Sequence, residues 1–174
     1  IGEIKDSAGT HHMTSYAGVS VSSTGIDGKS LSFDGVDDYA SVDYNFNYDS
    51  LTLGFWFNTK DANKIKRIIE HRWLASPADS GVFTTHLSNG KLYAGLTTSD
   101  GSQSFVAIND IISADNWYQY VLTYNGSTAR VYLNGALKNS LAINKPIKNY
   151  VKGLVFPNAE VKAIAKEDRP SYLK

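Results

Sequence analysis

An all-β fold, a two-sheet antiparallel sandwich or a barrel, follows from three features of the sequence. Four Asn-Gly or Asp-Gly steps punctuate the middle of the chain: Asn89-Gly90, Asp100-Gly101, Asn125-Gly126 and Asn134-Gly135. Each is flanked by aromatic or β-branched residues, and both dipeptides readily take the positive φ angles of type I′ hairpin turns. The run Leu51–Phe57 alternates with period two, placing Leu51, Leu53, Phe55 and Phe57 on one face and Thr52, Gly54, Trp56 and Asn58 on the other. Helix signals are almost absent, and about a dozen short strands with tight turns close into a sandwich or a barrel.

The elements can be taken in order. Asp34-Gly35 ends a strand with a turn that reverses the chain into Tyr39–Val42, and Asp37 and Asp38 are short acceptors suited to closing Asx-turns. Leu51–Phe57 is the next strand. Asp61–Glu70 carries good helix formers, but Ile65, Ile68 and Ile69 fit a short turn followed by a strand equally well. Strands are then expected at Val82–Leu87, Lys91–Thr97, Trp117–Tyr124, Ala129–Leu133 and Ala136–Ile143. Pro146 and Pro157 bracket a weakly patterned stretch, Lys145–Asn158, expected to be loop plus one poor strand. Ala159–Lys166 alternates again and reads as a last strand that Pro170 stops. Trp117 and Trp56 are bulky enough to bridge two sheets about 10 Å apart. Trp117 in particular is expected as core or half-buried scaffold.

At 174 residues one domain spanning 1–174 is the default, and such a chain buries roughly 70% of its unfolded surface. There is no cysteine, so disulfides, thiolate nucleophiles and cysteine-ligated zinc are excluded. No apolar stretch approaches the roughly 18 residues of a membrane span. The chain begins at Ile1 with no basic-then-apolar signal region, so a processed product or a segment of something longer is expected. The formal net charge is zero, which argues against nucleic acid as a partner. That zero conceals a split. Residues 1–143 hold ten Lys/Arg and fourteen Asp/Glu, whereas residues 144–174 hold seven and three.

Specific motifs overlie this frame. Asp6-Ser7-Ala8-Gly9-Thr10-His11-His12 is followed by Gly25–Gly28 and by Leu31-Ser32-Phe33-Asp34-Gly35-Val36-Asp37-Asp38-Tyr39-Ala40-Ser41-Val42. Leu51–Phe57 comes next, and then Asn116-Trp117-Tyr118, Tyr124-Asn125-Gly126 and Val131-Tyr132-Leu133-Asn134-Gly135. In this order they resemble the LamG-like jelly-roll domains of the concanavalin A-like lectin/glucanase superfamily. The resemblance covers about residues 6–143 and implies a two-sheet antiparallel β-sandwich. Residues 144–174 are less typical. The family's closing strand ordinarily carries an aspartate where Ala159 stands here.

The resemblance brings calcium into view, because related sandwiches often carry one structural ion. Asp34, Asp37 and Asp38 supply carboxylates at one turn, and Glu3 or Glu160 would add another if the terminal strands pair nearby. By the resemblance the Gly35 carbonyl is a further ligand. The competing reading is that these carboxylates only cap the turn.

Sugars present flat apolar C–H faces, so their sites pair an exposed aromatic platform with polar side chains for the hydroxyls. The candidates are Trp56 on the outward face of its strand, Trp73 beside His71 and Arg72, and Tyr93 across a hairpin. Catalysis is not expected. Enzymes resembling this fold present glutamate-x-aspartate-x-(x)-glutamate along one strand, and the chain has only four glutamates, none so spaced. No nucleophile elbow, zinc-protease or phosphate-loop motif occurs. His11-His12 would point to opposite faces of a strand, and the dipeptide also fits the family's loop after the first strand. Asn125-Gly126-Ser127 is formally an N-glycosylation sequon in a tight hairpin.

The expected function is non-catalytic recognition or adhesion of carbohydrate, outside a cell or on a surface, by a secreted, cell-surface or virion protein. The alternative is a structural subunit of a surface, filament or virion assembly that contacts a neighbouring surface protein. In that case the basic segment 144–174 would pair with an acidic neighbour, cover a sheet edge or continue as a linker.

Overall fold

A computed structural model describes residues 2–42, 48–71 and 82–148, together with the backbone of 154–157. Among these described residues there are fourteen strands in chain order. They are β1 (Gly2–Ile4), β2 (Met13–Tyr16), β3 (Ser20–Gly25), β4 (Gly28–Ser32), β5 (Tyr39–Val42), β6 (Leu51–Phe57) and β7 (Lys66–His71). They continue as β8 (Phe83–Ser88), β9 (Lys91–Thr97), β10 (Gln103–Ile108), β11 (Tyr118–Tyr124), β12 (Thr128–Leu133), β13 (Ala136–Ala142) and β14 (Leu154–Pro157). Among the described residues no helix forms, so Lys66–His71 takes the strand option that its isoleucines allow.

Two antiparallel sheets face each other, one of eight strands in the order β1-β2-β5-β14-β7-β8-β9-β10 and one of four in the order β13-β12-β11-β6. A separate hairpin, β3–β4, is mostly exposed. The core between the sheets follows the period-two pattern. Phe83 and Leu87 on β8, Leu92 and Leu96 on β9, and Val106 and Ile108 on β10 meet Tyr120, Leu122 and Tyr124 on β11 and Val131 and Leu133 on β12. Phe55 and Phe57 of β6 close one side of this core. Tyr120 spans it: its ring is fully buried against Phe55, and its hydroxyl accepts a hydrogen bond of 3.2 Å from Thr85 Oγ1 of the facing sheet. The two tryptophans do not share that role. Trp56 is 45% exposed on the outer face of β6, and Trp117 is half-buried just before β11.

The hairpin turns divide into two kinds. Asn89-Gly90 and Asn134-Gly135 have positive φ at both residues, as a type I′ turn requires. At the other two steps only Gly101 and Gly126 are positive. There the preceding side chain organises a longer loop: Asn125 Oδ1 accepts from the backbone N–H of Ser127 and Thr128, and Asp100 Oδ1 from that of Ser102.

The weakly patterned stretch has the most demanding position. β14 is the strand that joins the half-sheet β1-β2-β5 to the half-sheet β7-β8-β9-β10, pairing antiparallel with both β5 and β7. The chain leading to it is clamped. Thr98 bridges to Ile147, Lys148 N–H donates to the Thr97 carbonyl, and Lys145 Nζ lies 2.6 Å from Asp100 Oδ2. Tyr124 donates its hydroxyl hydrogen to the Lys145 carbonyl. The first lysine of the basic segment is thus satisfied inside the domain. The expected strand Ala159–Lys166 lies outside the described residues.

Candidate functional site

The outer face of the eight-stranded sheet carries an aromatic row. The two-residue turn at Asn89-Gly90 sets the β8–β9 register, so His86 stands opposite Tyr93. Their rings stack with centroids 5.1 Å apart and planes 11° from parallel. Phe105 of β10 meets His86 edge-on at 6.1 Å and is 47% exposed. Its ring covers Gly95: a Cβ at that position would lie 2.7 Å from Phe105 Cε1. Glycine is therefore required there for the Phe105 ring and the Thr84 methyl, 2.8 Å from the same point, to pack over the strand.

On the other side of His86 stands Arg67, its register partner on β7. A β-bulge between Arg67 and Ile69 shifts the alternation, sending Ile69 into the core and leaving Arg67 and Glu70 on the outer face. Arg67 donates to Glu70 Oε2 at 2.9 Å, and Glu70 is only 1% exposed. The guanidinium is thereby held in place while 32% of its side chain remains open to solvent. Lys91 lies on the same face as Tyr93, two residues before it.

Burial first, and the Arg67 charge second, hold the His86 imidazole below its ordinary pKa of 6.5. The folded state therefore resists a proton that the unfolded chain accepts, and stability is complete above about pH 6.5 and declines as the pH falls below it. Urea midpoints of wild type and His86→Phe, measured from pH 8 to pH 5, should diverge only on the acid side, with the variant losing less. Parallel curves would contradict the assignment.

The sequence candidates fall in different places. Tyr93 is in the aromatic row. Trp56 lies on the outer face of the four-stranded sheet, so these two side chains are on opposite sides of the sandwich and cannot share one site. Trp73, Arg72 and Glu160 lie outside the described residues. His86, Phe105 and Arg67 were not singled out from the sequence. The Asn89-Gly90 turn was sufficient to pair His86 with Tyr93, but the bulge that re-aims Arg67 has no local signature.

At the acidic turn Asp34, Asp37 and Asp38 offer ligand atoms within 4.8 Å of one another. Asp34 Oδ1 caps the turn, accepting from Val36 N–H at 2.7 Å, with Gly35 at φ 84° between them. Asp38 is 3% exposed, and its Oδ2 accepts from Asp34 N–H at 2.8 Å. Its Oδ1 is buried without a hydrogen-bond partner. Gly18, at φ 149°, passes so close that a Cβ there would lie 3.0 Å from Asp38 Oδ1. Asp34 is used as a cap, whereas Asp38 keeps one buried carboxylate oxygen that no hydrogen bond meets.

Residues 34–158 match the Laminin_G_3 family model, described as concanavalin A-like lectin/glucanases superfamily. The chain belongs to this superfamily. A comparison with curated proteins finds no matching sequence. Among solved structures the superfamily fold recurs in toxin binding domains. The chain is similar to the binding domain of Paraclostridial Mosquitocidal Protein 1, with TM-score 0.70 and 17% identity over 88% of this chain and 42% of that one. It is similar to the receptor binding domain of botulinum neurotoxin D, with TM-score 0.66 and 18% identity over 88% and 42%. A third likeness, TM-score 0.60 and 15% identity over 88% and 39%, is to botulinum neurotoxin type C, whose cell entry is described as dependent on interaction with two ganglioside molecules. The chain spans about two-fifths of each of these structures, and at such identities the likeness is one of fold.

Proposed function

We propose that the chain is a non-catalytic carbohydrate-recognition module acting outside a cell or on a particle surface, with a sugar ring seated on the Tyr93–His86–Phe105 face. The observation that carries this reading is the parallel Tyr93–His86 stack beside the exposed Phe105 ring, with an immobilised guanidinium at its edge. The exposed Phe105 ring, set at 76° to His86, offers an apolar surface to the C–H face of a pyranose beside the Tyr93–His86 stack, and Arg67 and Lys91 supply donors to its oxygens. A ganglioside, the class named for the type C toxin, is one glycan of this kind. Recognition without hydrolysis is supported by the carboxylates of this face. Among the described residues of β7 to β10 only Glu70 points outward, and it is buried against Arg67, whereas a glycosidase needs two carboxyl groups flanking the bond. A glycan array probed with wild type and Tyr93→Ala tests the reading. Wild type is retained on at least one glycan, and the variant loses about tenfold or more in affinity, a loss of about 1.4 kcal/mol. Equal retention of both would sink it.

We also propose that the Asp34–Asp38 turn binds one calcium ion through the Asp34, Asp37 and Asp38 carboxylates. The unpartnered Asp38 Oδ1 favours this over capping alone. An ion at a hundredfold its dissociation constant adds about 2.7 kcal/mol. For a domain of this size that raises Tm by roughly 5–11 °C. Thermal melts in calcium and in chelator should differ by that amount for wild type and coincide for Asp38→Asn. Coincident wild-type melts would refute the site.

A further inference from the structure

On the opposite side of the sandwich the outer face of the four-stranded sheet carries an exposed glycine beside an exposed tryptophan. Gly54 lies in the middle of β6, the edge strand of that sheet, exposed and in regular strand conformation. Glycine weakens a strand interior, and neither backbone angle nor crowding demands it here. An added Cβ would make only ordinary contacts, 3.6 Å to Val121 Cγ2 and 3.8 Å to the Tyr120 carbonyl. Strand glycines often mark a bulge, a tight bend or a place where a ligand or another backbone approaches closely, and in regular strand conformation the last of these applies. The surroundings fit a sugar. Trp56 rises on one side, 45% exposed, and Thr52, also exposed, on the other. Across on β11, Val121 is the register partner of Gly54, Gln119 of Trp56 and Thr123 of Thr52. Directly paired side chains stand about 5 Å apart, so an indole, an apolar wall, an amide and two hydroxyls surround a glycine floor.

We propose that the face around Gly54 and Trp56 is a second pyranose-binding site and that the module is bivalent, holding two glycans on opposite faces of one sandwich. The inference rests on the carbohydrate reading of the Tyr93 face. Trp56 supplies the stacking plane, and Gln119, Thr52 and Thr123 supply hydrogen bonds to ring hydroxyls. Because the two sites face away from each other, two sugars on one surface cannot both be reached by one molecule, whereas two separate surfaces can be bridged. Bridging between dense glycan layers gains from avidity even when each site is weak.

The test uses the full chain, taken as the monomer fraction from size exclusion, with beads coated with lactose, 3′-sialyllactose or cellotetraose. Wild type binds at least one bead type and clumps it. Tyr93→Ala and Gly54→Val each still bind those beads but fail to clump them, and the double variant does not bind. Gly54→Val places a side chain over the bare backbone at an exposed strand position where β-branched residues are favoured, so its Tm is unchanged or higher. Its loss of clumping is therefore not a folding defect. Wild type that binds without clumping while Tyr93→Ala does not bind, or clumping that survives Gly54→Val, overturns the second site and leaves the first standing. Failure of wild type to bind any of the three overturns both.

Discussion

Proline at Val155 lowers Tm by about 2–12 °C, because among the described strands β14 alone joins the two halves of the large sheet. Val155 pairs with Ser41 of β5 on one side and Glu70 of β7 on the other. Proline has no N–H to donate and is found in sheets essentially only at edges or bulges. The carbonyl left unmet between these buried strands costs about 1–3 kcal/mol. Each kcal/mol is worth about 2–4 °C in a domain of this size. Hydrogen exchange localises the effect. The amides of β5 and β7 lose protection together, while β11 and β12, which pair only within the other sheet, lose less. Proline at Val21 serves as a control, since Val21 is 64% exposed and β3 pairs only with β4. An unchanged Tm for Val155→Pro would show that β14 does not bridge the half-sheets.

Truncating Tyr120 to alanine removes about 3–5 kcal/mol, the range for a fully buried aromatic, and lowers Tm by roughly 6–20 °C. Tyr120→Phe costs less, about 1 kcal/mol, because the ring stays packed on Phe55 and only the bond from Thr85 is lost. Thr85→Val added to Tyr120→Phe recovers part of that cost, since neither hydroxyl is then left buried alone. Trp117→Ala, by contrast, costs less than Tyr120→Ala, because its side chain is only half-buried beside the sandwich. Chemical denaturation of the four variants checks the order. If Trp117→Ala proved the more damaging, the core would have its centre elsewhere.

These variants also mark what local sequence could and could not convey. Leu51–Phe57 was readable to the residue, because alternation in one strand reports burial on one face directly. The Asn89-Gly90 and Asn134-Gly135 turns were readable because positive φ at two successive positions has few solutions. The central position of β14 was not, because pairing with β5 and β7 is decided by residues more than a hundred and more than eighty positions away along the chain. The two prolines around it suggested a margin rather than a centre. Trp56 and Trp117 showed the same limit from the other side. Size made both plausible bridges between sheets, yet Tyr120, with a hydroxyl that reaches Thr85, fills that role. At the acidic turn the three aspartates were evident from their spacing, but the burial of Asp38 against Gly18 joins segments twenty residues apart. At the aromatic face Tyr93 was visible alone, and the partners that make it a platform came from register and from one bulge.

The account's central claim is that a sugar sits on the Tyr93–His86–Phe105 face. Backbone and side-chain NMR shifts of the full chain, recorded during titration with the glycan that the array selects, test it most directly. The account predicts that the shifts which move include a cluster on Arg67, Thr84, His86, Lys91, Tyr93 and Phe105, and that this cluster is silent in Tyr93→Ala. Shifts that leave those residues untouched while the glycan binds would contradict it.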